Sequence, residues 1–430
     1  MTHQPLLIRG GRVVDPSQNL DEVRDVLLKD GKVSALETSL EAPEGCREVD
    51  ASGLVVTPGL IDVHVHLREP GQEHKETIFT GARAAAAGGF TAICSMPNTD
   101  PTIDDPAAVG FVMAQGRKAG AARVYPMGAI SVGLEGEALT EFGGMVEAGA
   151  VAVTDDGRPV MDSGLMRMAM EYAQAFDIPV VDHPEDLTLS RDGSMNEGLI
   201  SSRLGLKGKP NASEDIHIIR DILLAELTGG RVHIQHVSTR FGVDAIRQGK
   251  ARGVRVTGEA APHHLLLTDA NVDGYRTNAK MNPPLRSAED RDAVLEGLKD
   301  GTLDVVATDH APHHYDEKEA AFEDAPNGIV GLETALGLVY GHMVEKGHLD
   351  LPTMVRRMSL RPAELFNLPG GTLKVGSPGD VTVFDPGQEW VVDPETFLSK
   401  SRNTPFTGWT LKGRPRYTVV EGSVVWEDQG

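Results

Sequence analysis

The sequence has few cysteines, few aromatic residues and no long apolar run. Cys46 and Cys94 are the only cysteines in 430 residues, too few for a disulfide framework and typical of a protein of the reducing cytosol. No apolar stretch approaches the length of a membrane span, and the N-terminal segment lacks the basic region and apolar core of a signal peptide. We therefore expect a cytoplasmic protein that does not associate with membranes.

Positive charge is also scarce. The chain carries 41 Lys and Arg against 63 Asp and Glu, a formal net charge of -22. This balance argues against nucleic acid or an anionic membrane surface as a partner. An anionic substrate would therefore have to be held by local positive charge, from a metal ion or an arginine.

Both ends of the chain have the pattern of short strands joined by tight turns. Alternating apolar residues flank glycines in residues 6–14 and 26–33, and the same pattern returns in residues 374–384 and 417–426. The sequence between the two ends is different. We therefore predict one small β-sandwich domain formed by residues 1–55 together with residues 372–430.

The long middle part, residues 56–371, alternates strand and helix patterns eight times. The predicted strands lie at residues 61–67, 90–96, 123–130, 150–154, 178–181, 231–238, 254–260 and 303–308. Eight successive βα units predict an α/β protein with a TIM-type (β/α)8 barrel. In such barrels the catalytic groups lie at the carboxyl ends of the strands.

Candidate metal ligands occur at several of these strand ends. His64 and His66 are two residues apart on one strand and therefore face the same side. The other candidates are His183, His236, Asp309 and one of Asp155 or Asp156. A lone His-x-His pair is as typical of a core or surface as of a metal site. Four imidazoles and two carboxylates, however, exceed the three ligands of a mononuclear catalytic zinc, and favour two metals sharing a carboxylate.

The donor types favour zinc. Nitrogen and oxygen ligands without thiolate fit Zn²⁺, with Mn²⁺ or Co²⁺ as alternatives. Because adjacent strand residues face opposite ways, only one of Asp155 and Asp156 is expected to be a ligand, and periodicity does not choose between them.

Nine short segments together resemble the amidohydrolase superfamily and, within it, the class I dihydroorotases of bacteria. These segments are residues 62–71, 96–99, 154–157, 183–186, 235–238, 262–265, 282–286, 308–313 and 328–333. The resemblance spans essentially the whole chain. It implies the reversible interconversion of N-carbamoyl-L-aspartate and L-dihydroorotate in pyrimidine synthesis.

The resemblance also implies a ligand set. His64, His66 and Asp309 would hold one zinc ion, and His183 and His236 would hold a second. Asp156, in preference to Asp155, would bridge the two. Asp309 would also be the catalytic carboxylate, because it can take a proton from the attacking hydroxide and give it to the leaving nitrogen.

A further set of residues resembles the substrate contacts of this family. They are His66, Arg68, Asn98, Asn282, His313, Asn327 and Gly328. Arg68 can form a bidentate pair with a substrate carboxylate. Asn327 departs from the family pattern, which has a larger apolar residue there, so contacts at this position are expected from the backbone.

Two alternative functions differ from this interpretation in identifiable ways. Hydantoinases and allantoinases normally bridge their metals with a carboxylated lysine, yet the chain has no lysine between Lys118 and Lys207. Some dihydroorotase-like chains have lost their ligands and act as non-catalytic partners of aspartate transcarbamoylase, whereas all six ligand positions are filled here.

Family resemblance further suggests a homodimer and association with aspartate transcarbamoylase. The acidic run at residues 316–319 is interpreted as a solvated face.

Overall fold

The structure, a computed structural model, describes residues 4–428 of the chain. Within them, eight parallel strands form a barrel. The barrel strands are Leu60–Val65, Phe90–Ser95, Arg123–Pro126, Val153–Thr154, Val180–Asp182, Val232–Ile234, Val256–Ala260 and Val305–Val306. Isolated parallel bridges from Gly128 to Val153 and from Val65 to His310 close the ring between its two arcs. The predicted fold class is confirmed.

Helices follow the barrel strands and cover the outside of the barrel. The longer ones are Ile78–Ala87, Pro106–Ala119, Phe142–Ala148, Ser163–Ala173, Ala212–Thr228, Arg240–Ala251 and Ala288–Asp300. Shorter helices are Leu187–Ser190, Leu199–Leu204, Pro262–Leu266, Tyr315–Lys318, Ala335–Val339, Leu351–Val355 and Arg361–Leu365. None of the helices within residues 4–428 combines the length and the apolar character needed to cross a membrane.

Polar side chains define where several of these helices begin. Asp105 accepts a hydrogen bond from the backbone N–H of Ala108 at 2.8 Å, and Pro106 occupies the first helical position. Thr77 and Thr80 form a reciprocal capping box at the start of Ile78–Ala87. This cap explains why the first helix begins at Ile78.

Strands from both chain ends form one mixed, eight-stranded sheet, consistent with the predicted β-sandwich. Its members are Leu6–Asp15, Leu20–Lys29, Lys32–Glu37, Arg47–Asp50, Val55–Pro58, Val381–Val391, Thr410–Val420 and Ser423–Glu427. Val55–Pro58 pairs in parallel with the first strand of the chain and antiparallel with Val381–Val391. It leads almost directly into barrel strand Leu60–Val65, so the chain passes from this sheet into the barrel there.

Candidate metal centre

The six predicted ligands all lie at the same end of the barrel. His64 lies on the first barrel strand and His66 directly follows it. The other four follow the fourth, fifth, sixth and eighth strands at Asp156, His183, His236 and Asp309. Because parallel strands end at a common rim, residues far apart in sequence are brought together. All six side chains are buried.

The carboxylate of Asp156 lies at the centre of the four imidazoles. Its Oδ2 is 3.4 Å from His66 Nε2, and its Oδ1 is 3.5 Å from His64 Nε2. The same Oδ1 is 3.5 Å from His183 Nδ1 and 4.0 Å from His236 Nε2. Asp156 therefore faces both pairs of histidines with its two oxygens.

Asp309 approaches only the first pair of histidines. Its Oδ1 lies 3.1 Å from His66 Nε2 and 3.4 Å from His64 Nε2. Although burial opposes ionisation, the neighbouring His64 lowers the pKa of Asp309, so the carboxylate is charged and able to accept a proton.

The chemistry of this cluster fits a bound metal. His64 Nε2, His183 Nδ1 and His236 Nε2 are buried nitrogens without a hydrogen-bond partner among residues 4–428. Such groups are costly to bury unless something pairs with them. Two sets have ligand atoms within 4.8 Å of one another: His64, Asp156 and His236, and His64, His66 and Asp309. Burial, with His183 nearby, also lowers the pKa of His236 to about 3, which leaves its imidazole neutral.

Glu259, which is not among the predicted site residues, orients His64. Its Oε1 accepts a 2.6 Å hydrogen bond from His64 Nδ1 and a 3.0 Å bond from the backbone N–H of His236. Its Oε2 accepts from His233 Nε2 at 3.2 Å. A carboxylate on Nδ1 leaves Nε2 free to bind a cation. The signal in the sequence is Glu259 itself, the only charged residue of strand Val256–Ala260.

Of the two adjacent aspartates, Asp155 points away from the histidines. Its Oδ1 accepts the backbone N–H groups of Ile130 and Ser131 at 2.8 and 3.0 Å, and its Oδ2 accepts the Ser131 hydroxyl. Asp155 therefore fixes the loop after the third strand, whereas Asp156 faces the imidazoles.

Asn98 connects two of the candidate ligands. Its Oδ1 lies 2.9 Å from His66 Nδ1, and its Nδ2 donates to Asp156 Oδ2 at 3.2 Å. In this arrangement Asn98 orients both side chains through one carboxamide group.

On the opposite side of the centre, His183 belongs to a network that includes a lysine. His183 Nε2 lies 3.2 Å from Glu185 Oε2, which also accepts from Asn282 Nδ2 at 2.8 Å. Lys209 Nζ donates to Glu185 Oε1 at 2.7 Å and to Asn282 Oδ1 at 2.8 Å. Lys209 lies on the short strand Gly208–Lys209, which pairs with Met195–Asn196 in the long connection after the fifth barrel strand. Nothing in its local sequence pattern indicated this role.

Arg68 supplies positive charge to the site, and the imidazole of His313 lies beside it. Burial, with Arg68 nearby, lowers the pKa of His313, so this imidazole is neutral. Arg68 Nε donates to the carbonyl of Pro312 at 3.2 Å, and its Nη2 is 3.3 Å from His313 Nε2. His313 Nε2 is 2.8 Å from the carbonyl oxygen of Asn327. Burial lowers the pKa of Arg68 to about 10, so the guanidinium remains charged at neutral pH.

Most of the predicted site residues line one cleft of about 350 Å³. They are His66, Arg68, Asn98, Asp156, His183, His236, Asn282, Asp309, His313 and Asn327. His64 is completely buried behind them. Gly328 lies beside the cleft, where its N–H donates to the carbonyl of Lys280 at 2.9 Å.

Three residues of the site have left-handed backbone conformations. The φ angles are 60° at Arg68, 29° at His236 and 48° at Asp309. Such angles cost energy for residues other than glycine, and they are found where the surrounding structure must aim a functional side chain.

Comparisons with known proteins show which family this chain is similar to. A family model described as dihydro-orotase-like matches residues 53–241. A dihydroorotase from Citrifermentans bemidjiense is 56% identical over 422 residues, covering 98% of this chain and 99% of that protein. A dihydroorotase from Anaeromyxobacter sp. is 55% identical over 425 residues, covering 98% of both chains.

Solved structures extend the comparison to the fold. An L-hydantoinase (dihydropyrimidinase) from Arthrobacter aurescens has a TM-score of 0.88 at 29% identity, covering 99% of this chain and 96% of that chain. A D-hydantoinase (dihydropyrimidinase) from Thermus sp. has a TM-score of 0.84 at 26% identity, covering 98% of this chain and 95% of that chain.

The barrel and its rim of imidazoles and carboxylates define a metal-dependent hydrolase of the amidohydrolase type. The chain is 56% identical to a dihydroorotase over nearly its whole length, but only 29% identical to the L-hydantoinase. The chain belongs to the dihydroorotase family. It is accordingly an enzyme that acts on cyclic amide C–N bonds, and the predicted dihydroorotase function in pyrimidine biosynthesis is confirmed.

Proposed function

We propose that this protein is a class I dihydroorotase that uses two zinc ions to interconvert N-carbamoyl-L-aspartate and L-dihydroorotate. The observation that carries the proposal is the carboxylate of Asp156, which lies within 4.0 Å of all four candidate imidazoles. One carboxylate between two pairs of histidines suits a binuclear site better than a single ion.

The proposed ligands fall into two groups around Asp156. His64, His66 and Asp309 would hold one ion, and His183 and His236 would hold the other. When bound, the metals would supply an activated water at neutral pH and polarise the amide carbonyl.

Asp309 is the proposed proton carrier. In the hydrolytic direction it accepts a proton from the water that attacks the ring carbonyl, and it donates that proton to the ring nitrogen as the C–N bond breaks. In ring closure it takes a proton from the ureido nitrogen and returns it to the departing water. Its lowered pKa means that the carboxylate is charged at neutral pH, which is the form that accepts a proton.

Arg68 is the proposed partner of the substrate carboxylate. Its buried guanidinium lines the cleft and offers local positive charge in a chain of net charge -22. Asn98, Asn282 and His313 would surround the rest of the substrate, and the backbone at Asn327 and Gly328 would contact its ring.

Organisation and assembly belong to the same proposal. We propose a β domain of residues 1–55 and 372–430, a catalytic barrel of residues 56–371, and a cytoplasmic homodimer. Helix Ala212–Thr228 supports self-association, because it exposes Ile216, Leu223 and Leu227 along one face. Association with aspartate transcarbamoylase rests on the family resemblance alone.

The experiment that tests the proposal measures bound zinc and activity on one purified preparation. We expect about two zinc ions per chain and turnover of dihydroorotate, both strongly reduced in Asp156→Ala. Asp309→Ala should lose activity in both directions. Preferential turnover of hydantoin or allantoin would instead support the alternative suggested by the hydantoinase fold neighbours. A metal-free chain that is active only with aspartate transcarbamoylase would refute the proposal that this protein is an enzyme on its own.

A further inference from the structure

Two buried lysines lie beside the cleft without a carboxylate partner. Lys280 and Lys318 are each only 5% exposed. Lysine is almost never fully buried unless its ammonium is paired. No ion pair involves either side chain within residues 4–428, and both amines instead bind backbone carbonyls. The run at residues 316–319 is therefore not wholly the solvated face that the sequence suggested.

Lys280 uses all three of its donors on one short segment. Its Nζ donates to the carbonyls of Phe322, Glu323 and Ala325 at 2.6, 2.9 and 2.7 Å. Three acceptors match the three N–H bonds of an ammonium group. The Phe322 ring adds a cation–π contact, with its centroid 5.3 Å from Nζ.

Lys318 binds the next carbonyls of the same segment. Its Nζ donates to Pro326 at 2.9 Å and to Gly328 at 3.2 Å. Burial lowers the pKa of Lys318 to about 7. A neutral amine retains two N–H donors, so both carbonyls remain paired whether or not the group is protonated.

Residues 322–328, which we call the carbonyl loop, form one wall of the cleft. Pro326 and Asn327 line the cleft directly. The Asn327 carbonyl lies 2.8 Å from His313 Nε2, and Asn403 Nδ2 donates to the Gly328 carbonyl at 3.0 Å. A Cβ atom at Gly328 would lie 2.5 Å from the Ala311 carbonyl oxygen, so the loop is tightly packed.

We propose that Lys280 and Lys318 are positioning residues that hold the carbonyl loop as a fixed wall for the substrate. Together they bind five carbonyls of a seven-residue segment that has no helix or strand of its own. The role in substrate binding rests on the proposed function, because it assumes that Asn327 and Gly328 contact the substrate ring.

The proposal predicts a specific kinetic effect. Methionine has a side chain of similar length without a donor. Lys318→Met therefore leaves the buried Pro326 carbonyl unpaired, removes one of the two donors to the Gly328 carbonyl, and frees the loop to move. We expect KM for dihydroorotate to rise by about tenfold, the effect of losing one well-placed buried hydrogen-bonding group. Because neither lysine touches a proposed metal ligand, kcat and bound metal should change by less than about twofold.

The test compares Lys318→Met and Lys280→Met with Lys299→Met. Lys299 is exposed on helix Ala288–Asp300, where it pairs with Glu296, and serves as the matched control. For each protein we would measure hydrogen–deuterium exchange of peptides covering residues 322–328, KM and kcat for dihydroorotate, and metal content. If Lys280→Met does not fold, the measurements on Lys318→Met alone decide the test.

Faster exchange confined to the carbonyl loop, together with a raised KM and a preserved kcat, is the expected result. Unchanged loop exchange in the lysine variants would overturn the inference whether or not the wild-type enzyme is active. Faster exchange with an unchanged KM, or a fall in kcat alone, would also overturn the positioning role. Failure of the wild-type protein to turn over dihydroorotate would refute the proposed function instead.

Discussion

Replacing Glu259 by glutamine should weaken metal binding without removing any metal ligand. Glu259 is 1% exposed, and its two oxygens accept hydrogen bonds from His64, His233 and the backbone of His236. Glutamine has the same shape. Its Oε1 can still accept from His64 and His236, so the substitution chiefly removes the negative charge.

The geometry shows why His233 can tolerate the change. In the variant an amide N–H₂ group faces His233 Nε2 where a carboxylate oxygen stood. His233 Nδ1 lies 2.8 Å from the hydroxyl of Thr257, so the imidazole can donate there and accept from the amide instead. The remaining loss is the charge-assisted bond to His64 Nδ1. Loss of such a partner typically costs about 10- to 100-fold in metal affinity or activity, or about 1.4–2.8 kcal/mol.

The assay is competition for zinc between the protein and a chelator of known affinity. Glu226→Gln, which alters an exposed glutamate paired with Arg252, is the control. The activity of Glu259→Gln at limiting zinc should fall in parallel with its affinity and recover in part with added zinc. Zinc affinity equal to that of the wild type would refute the argument that Glu259 orients and polarises His64.

Three further results follow from the structure. Asp155→Asn should keep metal and activity but lose about 1–3 kcal/mol of stability in denaturant unfolding. The Ser131 hydroxyl loses its carboxylate acceptor, and the backbone N–H groups of Ile130 and Ser131 keep only a neutral one. Asp156→Asn should lose both metal and activity, and equal metal loss in the two variants would contradict this. Burial raises the pKa of Glu333 from its ordinary value of 4.5 to about 7, so the folded state binds the extra proton and stability should fall as pH rises through that window. Glu333→Gln should reduce this pH-dependent loss of the free energy of unfolding by about 1–3 kcal/mol. A variant with the same pH profile of unfolding as the wild type would contradict this assignment. Removal of zinc by a chelator should abolish activity reversibly, and activity retained by a demonstrably metal-free protein would contradict the proposed chemistry.

Periodicity was sufficient to predict the barrel and the rim. Parallel strands that end at a common edge bring His64, His183 and His236 together, and the sequence marks each strand end with a break in its apolar pattern. Boundaries were less accurate. The eighth strand was predicted over residues 303–308 but is confined to Val305–Val306, and the chain adopts a left-handed backbone conformation at Asp309.

The residues that orient the site were harder to predict than the candidate ligands. Glu259 carries a signal, since a lone carboxylate in a buried strand needs a partner. Lys209 and Lys280 carry none, because each acts through contacts to segments about 73 and 42 residues away in the chain. Periodicity likewise could not choose between Asp155 and Asp156, because only tertiary structure places the loop at residues 130–131 beside Asp155.

The order in which the strands are synthesised affects the nascent chain. Strand Val55–Pro58 lies between Leu6–Asp15 and Val381–Val391, so one of its edges has no partner until the last tenth or so of the chain is synthesised. An unpaired strand edge is a template for pairing with other chains. A chain that terminates before residue 381 already contains every candidate metal ligand, but strand Val55–Pro58 keeps one unpaired edge. Such a chain should therefore aggregate during translation.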